Sequence, residues 1–304
     1  MNALAPVVTN AHTHLELTRL ASLCPSEPVE FTRWIHELIR ARAGETRADV
    51  YRSVEAGIEE LLACGTTHVG DITATWLSVE PLLESGLRGI VWLEVLGLNR
   101  TEALERLERA KQAILAARRH PAYGPMQVGL TIHAPYSCHP DLFREGAAWC
   151  REAEISLCIH LAESPAEVEW LTRRSGPFLR LLQKLGLPVP PAPGLRPVPY
   201  LRSLGVLEAR PLLVHMVQVT DEEIRMVAEA GCAVVHCPRS NYLLNCGRMP
   251  LEKYLAAGVP VYLGTDSRAS SPSLNVREEA AFARQWHGDR VPENLWEVIV
   301  SRPL

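Results

Sequence analysis

Eight short apolar runs, separated by amphipathic stretches of helical period, restrict the fold of this chain more than any other feature of its sequence. The runs lie near 7–12 (VVTNAH), 66–71 (TTHVGD), 89–96 (GIVWLEVL), 126–133 (MQVGLTIH), 155–161 (ISLCIHL), 211–217 (PLLVHMV), 232–237 (CAVVHC) and 259–265 (VPVYLGT). Helical patterns cover 48–64, 101–119, 140–153, 165–185, 221–230 and 275–286, and Thr220-Asp221-Glu222-Glu223 reads as a capping-box entry to one of them. Buried strands alternating with helices predict repeated β-α units, and eight of them predict a (β/α)8 TIM-type barrel rather than a doubly wound sheet. The 304 residues suffice for one such barrel spanning 1–304. Residues 186–200 (GLPVPPAPGLRPVPY) break the rhythm, and their Pro and Gly content predicts a surface excursion between strands five and six, with a domain linker as the alternative.

Five of the eleven histidines, His12, His133, His160, His215 and His236, fall at or near the C-terminal ends of these strands. In a (β/α)8 barrel those ends share one face, where reactive groups collect. One such histidine could be a core residue, but five at equivalent positions are hard to assign to packing. His12-Thr13-His14 closes the first strand, and residues i and i+2 of an extended segment project to one side, so both imidazoles can address one ion. Neutral imidazole suits Zn²⁺ or Fe²⁺. Glu163 follows His160 at i+3, placed either to act as an acid/base above the barrel or to start a helix. Asp266 ends the eighth run, where a carboxylate is costly unless it is paired or bound to a cation. Three histidines and one aspartate across the mouth make a mixed N/O set with room for water, unlike a closed, thiolate-rich structural zinc site.

Composition excludes several classes. Hydrophobic residues make 47% and charged residues 22%, with a net charge of −4, so no basic field invites nucleic acid or an anionic membrane. Neither a secretory signal nor a stretch of transmembrane length is present in the sequence, and none of the eight cysteines forms a C-x-x-C pair. The expected thiols are reduced and the expected compartment is the cytoplasm.

Taken together, the segments VVTNAHTHLEL, CGTTHVGDI, TIHAPYSCHPDL, IHLAES, LLVHMVQVT and the long CAVVHCPRSNYLLNCGRMPLEKYLAAGVPVYLGTDSRASSPSLNVREE run resemble the deaminase and chlorohydrolase branch of the amidohydrolase superfamily. HTHLEL, GDI and the proline-rich excursion are most similar to aminofutalosine deaminases of menaquinone biosynthesis, whose neighbours act on adenosine, 5′-methylthioadenosine or S-adenosylhomocysteine. Carried over by position, the resemblance implies His12, His14, His160 and Asp266 as ligands of one divalent metal, zinc or iron. It implies Glu163 as proton shuttle, His215 as stabiliser of the attacking oxygen, Asp266 as acceptor of the water proton, and His133 as a substrate contact. His236, Ser240 and Asn241 read as local structure; His68 and His139 are left out of the site. Two-metal relatives bridge their ions with a carboxylated lysine on strand four; Lys111, Lys184 and Lys253 all lie elsewhere, so one metal is expected. The superfamily's flanking β-sandwich is expected to be missing or truncated.

The activity implied is hydrolytic removal of the 6-amino group of an adenine nucleoside, 6-amino-6-deoxyfutalosine above all, by water whose pKa the metal lowers from about 15.7 to about 7. Rival readings are an adenosine, methylthioadenosine or S-adenosylhomocysteine deaminase, a triazine-type chlorohydrolase, and a non-catalytic barrel that binds a ligand or partner. The zinc nucleic-acid deaminase pattern H-x-E…P-C-x-x-C is absent. The partner expected is a small purine nucleoside, with neither nucleic acid nor membrane, and a homo-oligomer is compatible with such a barrel. Arg100, Arg239 and Arg268 are candidates for a substrate carboxylate, and Trp34 either packs on the purine or serves its own helix.

Overall fold

A computed structural model describes residues 6–304. Eight parallel strands, β1 (Thr9–Thr13), β2 (His68–Thr73), β3 (Arg88–Val95), β4 (Met126–Ile132), β5 (Leu157–Leu161), β6 (Leu212–His215), β7 (Ala233–His236) and β8 (Val261–Leu263), are hydrogen-bonded in chain order. Closure between β8 and β1 is made beyond the end of β8: the Asp266 N–H donates to the His12 carbonyl at 3.0 Å, and Thr13 pairs with Asp266. Gly264 makes this approach possible, because a Cβ there would stand 2.6 Å from the His12 Cβ. The (β/α)8 barrel expected from the sequence is the fold observed.

Alternation along each strand divides the apolar residues into two cores. Outward residues such as Val91, Leu93 and Val95 pack beneath the surrounding helices. Inward residues, including Ala11, Ile72, Trp92, Cys158, Val214 and Val235, fill the barrel interior. Trp92 is the largest of these, and it fits only because β2 and β4 offer Gly70 and Gly129, where an added Cβ would lie within 2.8 Å of its ring. The filled interior forms a floor, and the polar groups above it are confined to the C-terminal face.

Three expectations need correction. The stretch 165–185 forms two helices, Pro165–Arg173 and Pro177–Lys184, because Gly176 adopts φ 86° between them and Pro177 starts afresh. The excursion 186–200 is irregular only to Arg196, since Pro197 opens a helix running to Ser203. The sixth run stops as a strand at His215, where φ becomes positive. Among the described residues no helix is long and apolar enough to cross a membrane.

Candidate active site

His12 and His14 leave β1 as expected, and their turn is held from β2. Asp71, from the GDI segment, accepts hydrogen bonds from the Thr13 hydroxyl and the Leu15 N–H, both at 2.9 Å. Asp71 is fully buried, and burial pushes its carboxyl up to about 7 against those hydrogen bonds. His160, on β5, has its Nδ1 3.1 Å from the His133 carbonyl, which fixes the tautomer and leaves Nε2 for the mouth of the barrel.

The ends of β5, β6 and β8 share an unusual backbone. Ala162, His215, Met216 and Asp266 all have positive φ, between 48° and 73°. Such residues cost of order 1–3 kcal/mol each and persist only where surrounding structure enforces them. Here the enforcement is visible: the Val217 and Gln218 N–H groups both donate to the Ala162 carbonyl, at 2.9 and 2.7 Å. The bends turn His215 and Asp266 inward over the floor.

The result is a compact cluster. Asp266 Oδ1 lies 3.6 Å from His12 Nε2 and 3.7 Å from His14 Nε2. The His12 and His160 ring centroids are 5.1 Å apart, those of His14 and His160 5.3 Å. His215 Nε2 stands 3.4 Å from Glu163 Oε1. Thus the structure brings together His12, His14, His160, Asp266, Glu163 and His215, with His133 beside them just past the end of β4.

Two observations test whether these residues suit a divalent metal. Neither ring nitrogen of the buried His12 has a hydrogen-bond partner, a costly state for an imidazole that a cation relieves. Burial first, then the neighbouring His12, also lowers the His14 pKa to about 3, while burial holds His160 well below the ordinary range. Both rings therefore present neutral lone pairs. At Asp266 burial pulls upward, but His12, with Nε2 3.6 Å away, followed by His14 and His215, holds the carboxylate well below its usual range. Three imidazoles and one carboxylate are a fitting donor set.

Glu163 has the opposite environment. Burial, then Asp266 and Glu167, drive its carboxyl well above the usual range and so favour its protonated form. Its backbone is fixed by Glu167, which accepts from the Ala162 N–H at 3.1 Å and the Glu163 N–H at 2.9 Å. Sequence reading missed this residue; the Ser164-x-x-Glu167 spacing at a helix start was the available signal. His215 is kept neutral, near 4, by burial.

Ser240 and Asn241, read as loop residues, touch the site directly. The Ser240 hydroxyl donates to Asp266 Oδ2 at 2.6 Å, and Asn241 Oδ1 lies 2.9 Å from His215 Nδ1. Behind Asn241 runs a buried chain: its Nδ2 is 3.5 Å from His236 Nδ1, His236 Nε2 is 3.0 Å from His287 Nε2, and the Arg248 guanidinium is 2.9 Å from His287 Nδ1. His236 thus belongs to this buried chain and is not among the residues whose ligating atoms cluster around His12. His68 bonds Thr67 at 3.0 Å, and His139 caps the helix Pro140–Ala153.

A cleft of about 610 Å³ opens above the cluster. Its walls are Phe31, Trp34, Ile35, Leu38 and Ile39 of the helix Phe31–Arg42, Tyr136, and Phe178, Leu181 and Leu182 beyond Gly176. Trp34 lines the cleft, and its Nε1 donates to the Ala269 carbonyl at 3.0 Å. The three arginine candidates do not line it: Arg100 pairs with Asp141, Arg239 with Glu278 and Glu279, Arg268 with Glu60. Arg42 and Arg106 line it instead.

The description "Amidohydrolase family" matches residues 4–294. The chain belongs to the amidohydrolase family. Its relatives include the aminodeoxyfutalosine deaminase of Deinococcus radiodurans, 39% identical over 98% of this chain and 72% of that protein. The 5-methylthioadenosine/S-adenosylhomocysteine deaminase of Moorella thermoacetica is 32% identical over 98% of the chain and 66% of its own length. An adenosine deaminase of Xanthomonas campestris solved with bound zinc superposes with a TM-score of 0.76 at 25% identity, covering 94% and 62% of the two chains. The Helicobacter pylori aminofutalosine deaminase with methylthio-coformycin gives a TM-score of 0.80 at 23% identity, covering 93% and 68%, and supports the fold alone. The chain thus spans about two thirds of the length of these proteins. Family membership makes this amidohydrolase metal-dependent and a hydrolase of C–N bonds.

Proposed function

We propose that the protein is a hydrolytic deaminase that exchanges the 6-amino group of an adenine nucleoside for oxygen, with 6-amino-6-deoxyfutalosine as its leading substrate. The observation that carries the reading is the buried Glu163 carboxyl 3.4 Å from His215 Nε2, beside three imidazoles and Asp266 gathered at one end of the barrel. His12, His14, His160 and Asp266 would hold one divalent metal, zinc or iron, and that ion when bound would acidify a water to serve as nucleophile at neutral pH.

Each residue then has one task. Asp266, steadied at Oδ2 by Ser240, takes the proton of the attacking water. Glu163 gives its proton to the ring nitrogen beside C6 as the C6–O bond forms, and His215 stabilises the new oxygen. The C6 hydroxyl proton then passes through Glu163 to the amino nitrogen, the C6–N bond breaks as C6=O forms, ammonia leaves, and the proton held on Asp266 restores Glu163, so that one water is consumed. His133, with Nδ1 2.6 Å from Ser137 Oγ, presents Nε2 to the purine.

The choice of aminodeoxyfutalosine rests on the 39% identity to the Deinococcus enzyme across 98% of the chain. The apolar cleft with Arg106 on its wall also suits a substrate that carries an aryl carboxylate. The test is ammonia release from zinc-loaded protein given aminodeoxyfutalosine, adenosine and methylthioadenosine in parallel. A preference for the first, at one metal per chain, supports the whole reading. Preference for another moves the substrate and keeps the chemistry; turnover of none refutes the deaminase.

A further inference from the structure

One acidic group in the cleft has no part in this chemistry. Glu94 sits near the end of β3, paired in register with Thr131 of β4. Alternation directs it inward, one layer above Trp92, and its side chain lines the cleft. Its carboxylate lies within 4.8 Å of ring nitrogens of both His133 and His160. Among the described residues it receives no side-chain hydrogen bond; it feels only burial, repulsion from Glu16 and a weaker pull from Arg42. That arginine is committed to Glu16 at 3.1 Å and Glu45 at 3.3 Å. Glu16 is satisfied in turn by Thr73 and Thr75. A half-buried acid on the cleft wall, beside His133 and His160 and without a donor from the protein, is placed to take its partner from the cleft's occupant.

We infer that Glu94 is a specificity-determining residue that accepts hydrogen bonds from the sugar hydroxyls of the substrate. The inference rests on the adenine nucleoside reading and follows from the donors such a molecule carries. Its 6-amino group must lie at Glu163 and His215 to react. Purine nitrogens are otherwise acceptors, so the remaining donors are the ribose hydroxyls. His133, Glu94's neighbour, presents a nitrogen to the same end of the purine. A substrate carboxylate is repelled from Glu94 and must lie farther along the cleft, toward Arg106.

The experiment compares adenosine, 2′-deoxyadenosine and 3′-deoxyadenosine on the zinc-loaded wild-type protein, Glu94→Gln and Glu94→Ala. Wild type is expected to lose about 10- to 100-fold in kcat/KM when the contacted hydroxyl is removed, the worth of a hydrogen bond to a charged group. In Glu94→Ala that ratio falls below about 3-fold, adenosine itself loses the same factor through KM, and metal content stays at one per chain. The isosteric Glu94→Gln, which keeps the volume and one acceptor, shows an intermediate ratio. Discrimination retained in both variants, or indifference of the wild type to either hydroxyl, overturns the assignment. So does a second metal per chain that disappears with Glu94. If wild type deaminates no adenine nucleoside, the parent reading fails first and this inference falls with it.

Discussion

Glu167→Ala is expected to damage both stability and turnover, although Glu167 faces no substrate. The side chain is fully buried, and its two oxygens receive the Ala162 and Glu163 N–H groups at 3.1 and 2.9 Å. Truncation orphans two buried backbone donors at a residue already held at φ 51°. Each orphan costs about 1–3 kcal/mol, so the pair costs about 2–6 kcal/mol. At about 2 °C per kcal/mol for a chain of this size, the melting temperature falls by about 4–12 °C. The strained Ala162 relaxes, Glu163 shifts with it, and a displacement of about 1 Å at a proton donor costs on the order of 100-fold in kcat. Glu167→Gln keeps one acceptor and is expected to recover about half of the loss. Calorimetry, steady-state ammonia release and metal analysis on the three proteins decide the matter. An alanine variant melting within 1–2 °C of wild type, with unchanged kcat, would refute the claim that Glu167 positions Glu163.

Glu163→Gln is expected to bind metal normally while kcat drops by about 10²–10⁴; near-normal turnover with stoichiometric metal would remove Glu163 from the mechanism. His160→Asn should reduce bound zinc far below one per chain, and stripping wild type with a chelator should lower its melting point, restored by about 2.7 kcal/mol with zinc at 100 times its Kd. Gly264→Ala drives a Cβ into His12 and is expected to lower metal content and stability together, with unaltered calorimetry as the contrary result. Burial, opposed by Arg239, raises the Glu279 carboxyl from 4.5 to about 8. The folded protein therefore binds more protons than the unfolded chain between those values, and this residue's contribution to stability is lost as pH rises from about 4.5 to about 8. The stability of wild type relative to Glu279→Gln should decline across that window, and a difference that stays flat counts against the shift.

Most of the barrel was legible because parallel strands buried on both faces are written as compact apolar runs, and the residues at their ends stand out as polar. His12, His14, His160, His215 and Asp266 could be read for that reason, since topology alone carries strand ends to one face. The break at Gly176 was not legible, because the apolar spacing of Leu171, Phe178 and Leu181 continues across it. Ser240, Asn241 and Glu167 were harder still. Polar residues at helix starts look alike whether they cap a turn or orient a carboxylate, and the partners of Ser240 and Asn241 lie 26 residues away in sequence. The arginines show the converse: Arg100 and Arg268 sit beside promising segments, yet surface acids claim them.

The buried chain behind His215 has a direction. Arginine has donors only, so His287 Nδ1 must accept from Arg248. His287 is held near 4 by burial and then by Arg248, and is neutral; its one proton sits on Nε2 and points to His236 Nε2. His236, also neutral because it is buried, then carries its proton on Nδ1, facing Asn241. With Asn241 Oδ1 toward His215, two donors would meet farther down the chain; turning the amide by half a turn satisfies every link. Its NH2 then donates to His215 Nδ1, and the His215 proton is forced onto Nε2, the atom 3.4 Å from Glu163. An arginine outside the cleft thereby decides which face of the catalytic imidazole is the donor. Nitrogen-15 shifts of His215 would read that polarity directly, and in Arg248→Met the two tautomers should mix.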